Sequence, residues 1–267
     1  MNERADTLRK VAELRELSRA ALDILIGWIE QFGDQRAPAA LTLDNTVHDF
    51  IFFALTKGAR TLDAASSLLS LNRPEDALVL ARSAYECYLH ASFIAAHRER
   101  IDDFVQAKVG AYVGEYLHPR TKRGRPIWQR VVHPPTGESL SHGAAIAELA
   151  ACGRHPEDLA VHDKFYAFLS EYDHVHMIAI GAYCTPEYDH FRFEPHGAMS
   201  FPGALYTAYV TWLLTSEAVT GDEHSGIAQE VADVLLALSE ALSSAFAAPA
   251  DPPLDGLPDS MRARLGC

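Results

Sequence analysis

The stretch 76-DALVLARSAYECYLHASFIAAH-97 decides the fold. Wound as a helix at about 100° per residue from Arg82, it puts Glu86 at about 40° and His90 at about 80°. Leu78, Val79, Leu89 and Phe93 crowd that side, and Leu80, Ala84, Cys87, Tyr88 and Ala91 line the other. A helix that is apolar all round packs on every side. This one is therefore expected inside an all-helical structure, with Arg82 and Glu86 in the interior. Deleting the partner of a buried charge costs roughly 3–5 kcal/mol, so the two are expected to pair across one turn or with other helices.

The flanking sequence supports the same class. Leu14, Leu17, Leu22, Leu25, Trp28 and Ile29 recur at three or four residues and predict a long amphipathic first helix. A second helix is expected from Thr42 or Asp44 to Leu71. Pro74, followed by Glu75 and Asp76, marks the start of the third, because a helix N-terminus tolerates proline and favours acids. The third is expected to continue through Ile101, Phe104 and Tyr112 to about 116. Further helices are expected at 143–152, 156–183, 203–219 and 223–247. The pattern dissolves over 118–141 (HPRTKRGRPIWQRVVHPPTGESLS) and again in the Pro-rich tail 249–267. The expected organisation is one up-and-down helical bundle over 1–248, interrupted by a basic, Pro-rich insertion at about 118–141, then a poorly ordered tail.

Composition narrows the function classes. The chain has 267 residues, 48% of them hydrophobic and 22% charged, with a formal net charge of −13. That charge disfavours a general nucleic-acid or membrane-surface binder, though a local basic patch is compatible with it. No apolar run is long enough and uncharged enough to read as a membrane span, and the charged N-terminus has no signal-peptide pattern. Cys87, Cys152, Cys184 and Cys267 form no pair motif, which suits free thiols and a cytoplasmic location.

Candidate site residues come from three segments. Arg82, Glu86 and His90 lie on the central helix, and His48 shares the expected core stripe of the second helix with Ile51, Phe52 and Leu55. The stretch 165-FYAFLSEYDHVHMIAIGAY-183 carries two histidines, His174 and His176, which point to nearly opposite sides of a regular helix. Periodicity puts His176 on the apolar face with Phe165, Leu169 and Tyr172. It puts His174 opposite, in line with Ser170 one turn earlier.

The Arg82-x-x-x-Glu86 pair on an apolar helix, followed later by Leu169-Ser170-Glu171-Tyr172-x-His174, resembles a bacterial family known only as a domain of unknown function. The resemblance spans residues 75–180, and Tyr166 fits its register. It implies a helical bundle built on an Arg-x-x-x-Glu helix and a Tyr-x-x-Leu-Ser-x-x-x-His helix, and it favours His174. That family breaks its helix just after the histidine, whereas Val175-His176-Met177 continue the pattern here, so both histidines stay open. It implies no settled activity.

Three kinds of function fit these residues. The preferred expectation is metal-independent acid–base hydrolysis of an anionic substrate, a small molecule or a phosphodiester such as RNA. His174 would be the base or acid, Glu86 would orient it, Arg82 would stabilise developing charge, and Ser170 would donate a hydrogen bond. Tyr166, His48, His90 and His176 form a second tier. The basic segment holding Arg120, Lys122, Arg123, Arg125 and Arg130 would help to collect such a substrate. The first alternative is a mononuclear transition-metal site of Glu86, His174 and His48. The second is a non-catalytic ligand-binding or interaction module, with the long outer helices also suited to pairing two copies.

Overall fold

Pro74 opens the helix on which the reading turns. In a computed structural model, which describes residues 2–33, 43–128, 130–141, 143–173, 183–184, 190, 199–220, 228–247 and 257–266, that helix is α3, Pro74–Ala96. Pro74 occupies the first turn with Glu75 and Asp76 beside it. Before it, α1 spans Asn2–Gly33 and α2 spans Leu43–Ser70. The turn from α2 to α3 is a helix stop closed by two backbone bonds, Arg73 N–H to Leu68 O at 2.9 Å and Asn72 N–H to Leu69 O at 3.1 Å. Asn72 sits there at φ 57°, a left-handed conformation that asparagine tolerates. So tight a turn folds α3 back along α2.

After α3 the chain breaks where a single helix is expected. A one-turn helix at Arg98–Arg100 leads into α4 (Ile101–Phe104) and α5 (Gln106–Val113), which ends at Gly114 with φ 83°. The segment read as irregular carries a two-stranded antiparallel hairpin, β1 (Arg130–Val132) against β2 (Ser139–Ser141), with Val131 opposite Leu140. Then follow α6 (Ile146–Cys152), α7 (Asp158–Asp173), α8 (Ser200–Thr220) and α9 (Ala228–Phe246). Residues 257–265, read as part of a poorly ordered tail, form α10 (Leu257–Leu265). Its Leu257, Met261 and Leu265 repeat at four residues and are buried, a stripe too short to stand out beside the prolines.

The architecture is an all-α, multi-helix up-and-down bundle. α8 runs through its middle, against α1, α2, α3 and α9, while α6 and α7 cover another side of α3, and α10 lies against α7 and α9. α8 has one charged residue, Glu217, in 21, and its tyrosines Tyr206 and Tyr209 are buried. It behaves as the apolar-all-round pattern requires, and so does α3, which packs against α2, α6, α7 and α8. Close packing against it needs Gly58 on α2, where a Cβ would lie 2.7 Å from a Leu214 methyl. One apolar cluster runs through α1, α2, α3, α4, α6, α7, α8, α9 and α10. No helix among the described residues is long and apolar enough to cross a membrane. Cys87, Cys152 and Cys184 are free thiols.

Candidate functional site

Arg82 and Glu86 do lie one turn apart on α3, but the expectation of an interior pair needs correcting. Their side chains are 17% and 32% exposed. They are half-buried where α3 passes α7, so water reaches the pair although most of α3 is enclosed.

α7 completes the cluster. The Tyr166 hydroxyl donates to Glu86 Oε1 at 2.9 Å and accepts from a terminal nitrogen of Arg82 at 2.7 Å. The same Arg82 nitrogen is 3.6 Å from Glu86 Oε1, and the other one donates to Asp173. The guanidinium carbon also sits 4.8 Å from the centre of the Tyr166 ring, within cation–π range. Burial pushes the Tyr166 phenol up; Arg82 opposes that shift and Glu86 adds to it. The phenol therefore stays protonated at neutral pH and available as a donor.

His162, one turn before Tyr166, stacks its ring on Tyr166 at 4.9 Å and on Tyr85 at 6.4 Å. It is buried, and its Nδ1 has no hydrogen-bond partner among the described residues. Burial depresses its pKa, with Asp163 and Glu86 pulling the other way, which favours the neutral ring. Sequence reasoning passed over His162 and Asp173. The available signal was the i, i+4 spacing of His162 and Tyr166, which stacks two rings on one helix face.

The other candidates are dispersed. The Ser170 hydroxyl donates to the Tyr166 carbonyl at 2.6 Å, a bond back into its own helix, so it is not directed at the cluster. His90 lies between Phe50 and Phe104, with Nδ1 2.7 Å from the Glu86 carbonyl oxygen, and burial pushes its pKa down. His48 is exposed instead of belonging to the core stripe, and it lies 3.5 Å from Arg98 beyond the C-terminal end of α3. About 15 Å of helix axis separates Glu86 from that end, so Glu86 and His48 do not come together. Among the described residues no group of three His, Cys, Asp or Glu side chains could hold a metal ion. His174 and His176 lie outside the described residues.

Two deeper polar clusters were not expected. Glu217, in the middle of the bundle, is met by Arg154 at 3.2 Å and His155 at 3.7 Å. Arg264 of α10 donates to Asp158 Oδ1 and to the Tyr88 hydroxyl, both at 2.9 Å, and Tyr88 donates to Asp158 Oδ2 at 2.6 Å. Burial raises the Asp158 carboxyl against the pull of Arg264. Burial alone would lower Arg264, yet Tyr88 and Asp158 hold it above its ordinary value.

Residues 48–125 match a family of unknown function, DUF5677. The match takes in most of α2, then α3 to α5, including Arg82, Glu86 and His90, and stops short of Tyr166, His162 and Asp173. The chain is thus similar, over less than a third of its length, to an uncharacterised helical domain. No curated protein matches it. No solved structure matches it either.

Proposed function

We propose that the protein is a metal-independent acid–base hydrolase of an anionic, phosphodiester-type substrate such as RNA, working at the Arg82–Glu86–Tyr166 cluster. One observation carries the reading: a protonated phenol is held at hydrogen-bond distance between a guanidinium and a carboxylate, on two helices, in a partly open position. Glu86 accepts a proton, Tyr166 supplies one to a leaving oxygen, and Arg82 neutralises the negative charge that builds up between them. In the resting arrangement Asp173 holds Arg82, and an anionic substrate would take its place. His174, the next residue in the chain, is the further base in this scheme, and His162 keeps the Tyr166 ring in position.

The basic segment after α5, read as an insertion in the bundle, would raise the local concentration of such a substrate. Pairing of two copies along α1 and α9, where Leu8 and Leu236 stand exposed, belongs to the same reading.

The test is hydrolysis of bis(p-nitrophenyl) phosphate and of a labelled RNA by wild type, Glu86→Gln and Tyr166→Phe. Each substitution is expected to lower kcat by about 10²–10⁴-fold with the fold intact by circular dichroism. Activity that survives Glu86→Gln at the wild-type level sinks the proposal.

A second reading has its own support. The Arg82 terminal nitrogens are already engaged by Asp173, Tyr166 and Glu86, as in a network that only registers α7 against α3. It is favoured if Glu86→Gln costs stability and no turnover is found.

A further inference from the structure

The segment after α5 is a built ribbon, and its surface differs from the rest of the chain. Tyr116 anchors it: its ring lies so close to Gly110 of α5 that a Cβ there would sit 2.4 Å from a ring carbon. Tyr116, Ala107 and Val131 form a small apolar cluster of their own. Leu117 and Val132 exchange backbone bonds at 2.9 Å, which adds a third segment to the β1–β2 hairpin. At the tip, Thr121 N–H bonds to Arg125 O at 2.8 Å, Gly124 N–H bonds to Thr121 O at 2.9 Å, and Gly124 takes φ 77°. Arg120 donates to the Gly124 carbonyl at 2.7 Å.

That geometry turns charge outward. Five of the 23 Lys and Arg residues of a chain with net charge −13 fall at positions 120, 122, 123, 125 and 130, and all five are exposed. Trp128 stands among them, 64% exposed, with the His118 ring in T-shaped contact at 4.7 Å. His118 is itself held 3.1 Å from the Arg130 carbonyl oxygen. The indole is thus held by one ring contact while most of its surface stays open. Tyr112, on the neighbouring α5, is 91% exposed.

Cations spaced along a rigid ribbon beside an open, pinned aromatic face match a polyanion whose flat groups are free to stack. Paired bases hide their faces in the duplex, and acidic peptides offer charge without rings. RNA loops and single strands present unpaired bases, which are the usual target of aromatic platforms. We infer that the Trp128 ribbon is a docking surface for single-stranded RNA, with Lys122, Arg123 and Arg125 on phosphates and a base stacked on Trp128. Binding is read without turnover, so this inference stands or fails separately from the hydrolytic one.

The experiment is fluorescence anisotropy of a labelled oligouridine titrated with the full chain at several salt concentrations. Three phosphate contacts predict a log–log salt slope of about −2. The triple variant Lys122→Glu/Arg123→Glu/Arg125→Glu is expected to abolish measurable binding, and Trp128→Ala to weaken it about tenfold. Melting curves check that both variants stay folded. No binding at low salt overturns the inference, and so does binding that survives the triple variant. Equal affinity for an RNA duplex, a poly-glutamate peptide or an anionic vesicle, each unaffected by Trp128→Ala, also overturns it, because the ribbon would then be a charge patch alone.

Discussion

Two clusters in this molecule use the same chemistry, an arginine, a carboxylate and a tyrosine hydroxyl, in opposite surroundings. Arg264, Asp158 and Tyr88 are sealed, with the two charged side chains 7% and 2% exposed. Arg82, Glu86 and Tyr166 are half-open, at 17% and 32% for the charged pair. In both, the hydroxyl bridges arginine and carboxylate. The direct arginine–carboxylate contact is 2.9 Å in the sealed cluster and 3.6 Å in the open one, and solvent adds to that difference. Inside, an unpaired charge cannot be rehydrated, and each partner holds the others in place. At the edge, water or a substrate can replace a partner at small cost. The sealed cluster fastens α10 and α7 onto α3; the open one is where the proposed chemistry would take place.

The largest difference between the two clusters is expected at Arg264. Arg264→Ala leaves Asp158 buried and unpaired and is expected to cost roughly 3–5 kcal/mol, read from urea denaturation. A loss below about 1 kcal/mol, the level of an exposed pair, would mean that water reaches the cluster. The double variant Asp158→Leu/Arg264→Met should recover most of that loss, because apolar replacement of a sealed pair is close to neutral. If it stays as unstable as the single variant, the pair is doing more than neutralising itself.

At the open cluster, Glu86→Gln is expected to move stability by no more than about 1 kcal/mol. A loss as large as that of Arg264→Ala would erase the distinction and favour the register-fixing reading. The smallest effect is in pH. Burial holds His162 neutral in the fold, with Glu86, Asp163, Tyr85 and Tyr166 around it. A depressed folded pKa lends stability that is complete above the ordinary value of about 6.5 and is lost as pH falls toward the depressed one. His90, facing Glu86, Lys57 and Lys108, adds in the same direction. Melting temperature should therefore decline as pH drops below about 6.5, and His162→Asn should flatten that decline. An unchanged slope would show that His162 is solvated.

Much of the fold was legible because helical periodicity is a local property. α1, α2, α3, α6, α8 and α9 fall close to where apolar spacing and Pro74 put them. What failed were the elements whose stability is not local. The ribbon after α5 has short strands among prolines and needs Tyr116 seated on Gly110. α10 is nine residues long, marginal by itself, and holds because its stripe is buried and Arg264 finds Asp158.

The same division runs through the candidate site. Spacing along the sequence is enough to put Arg82 and Glu86 on one helix face, whereas Tyr166 comes into view only through the register of the family resemblance. The assembled bundle decided that α7 passes beside that pair, that His48 lies far from Glu86, and that Ser170 bonds to its own backbone. It also decided that Asp173 and His162 complete the cluster and that a second one seals the C-terminus. Periodicity says which residues face inward on a helix. Which helix they meet, and how much water comes with it, depends on how all the helices divide the available apolar surface, and that division is a property of the whole bundle.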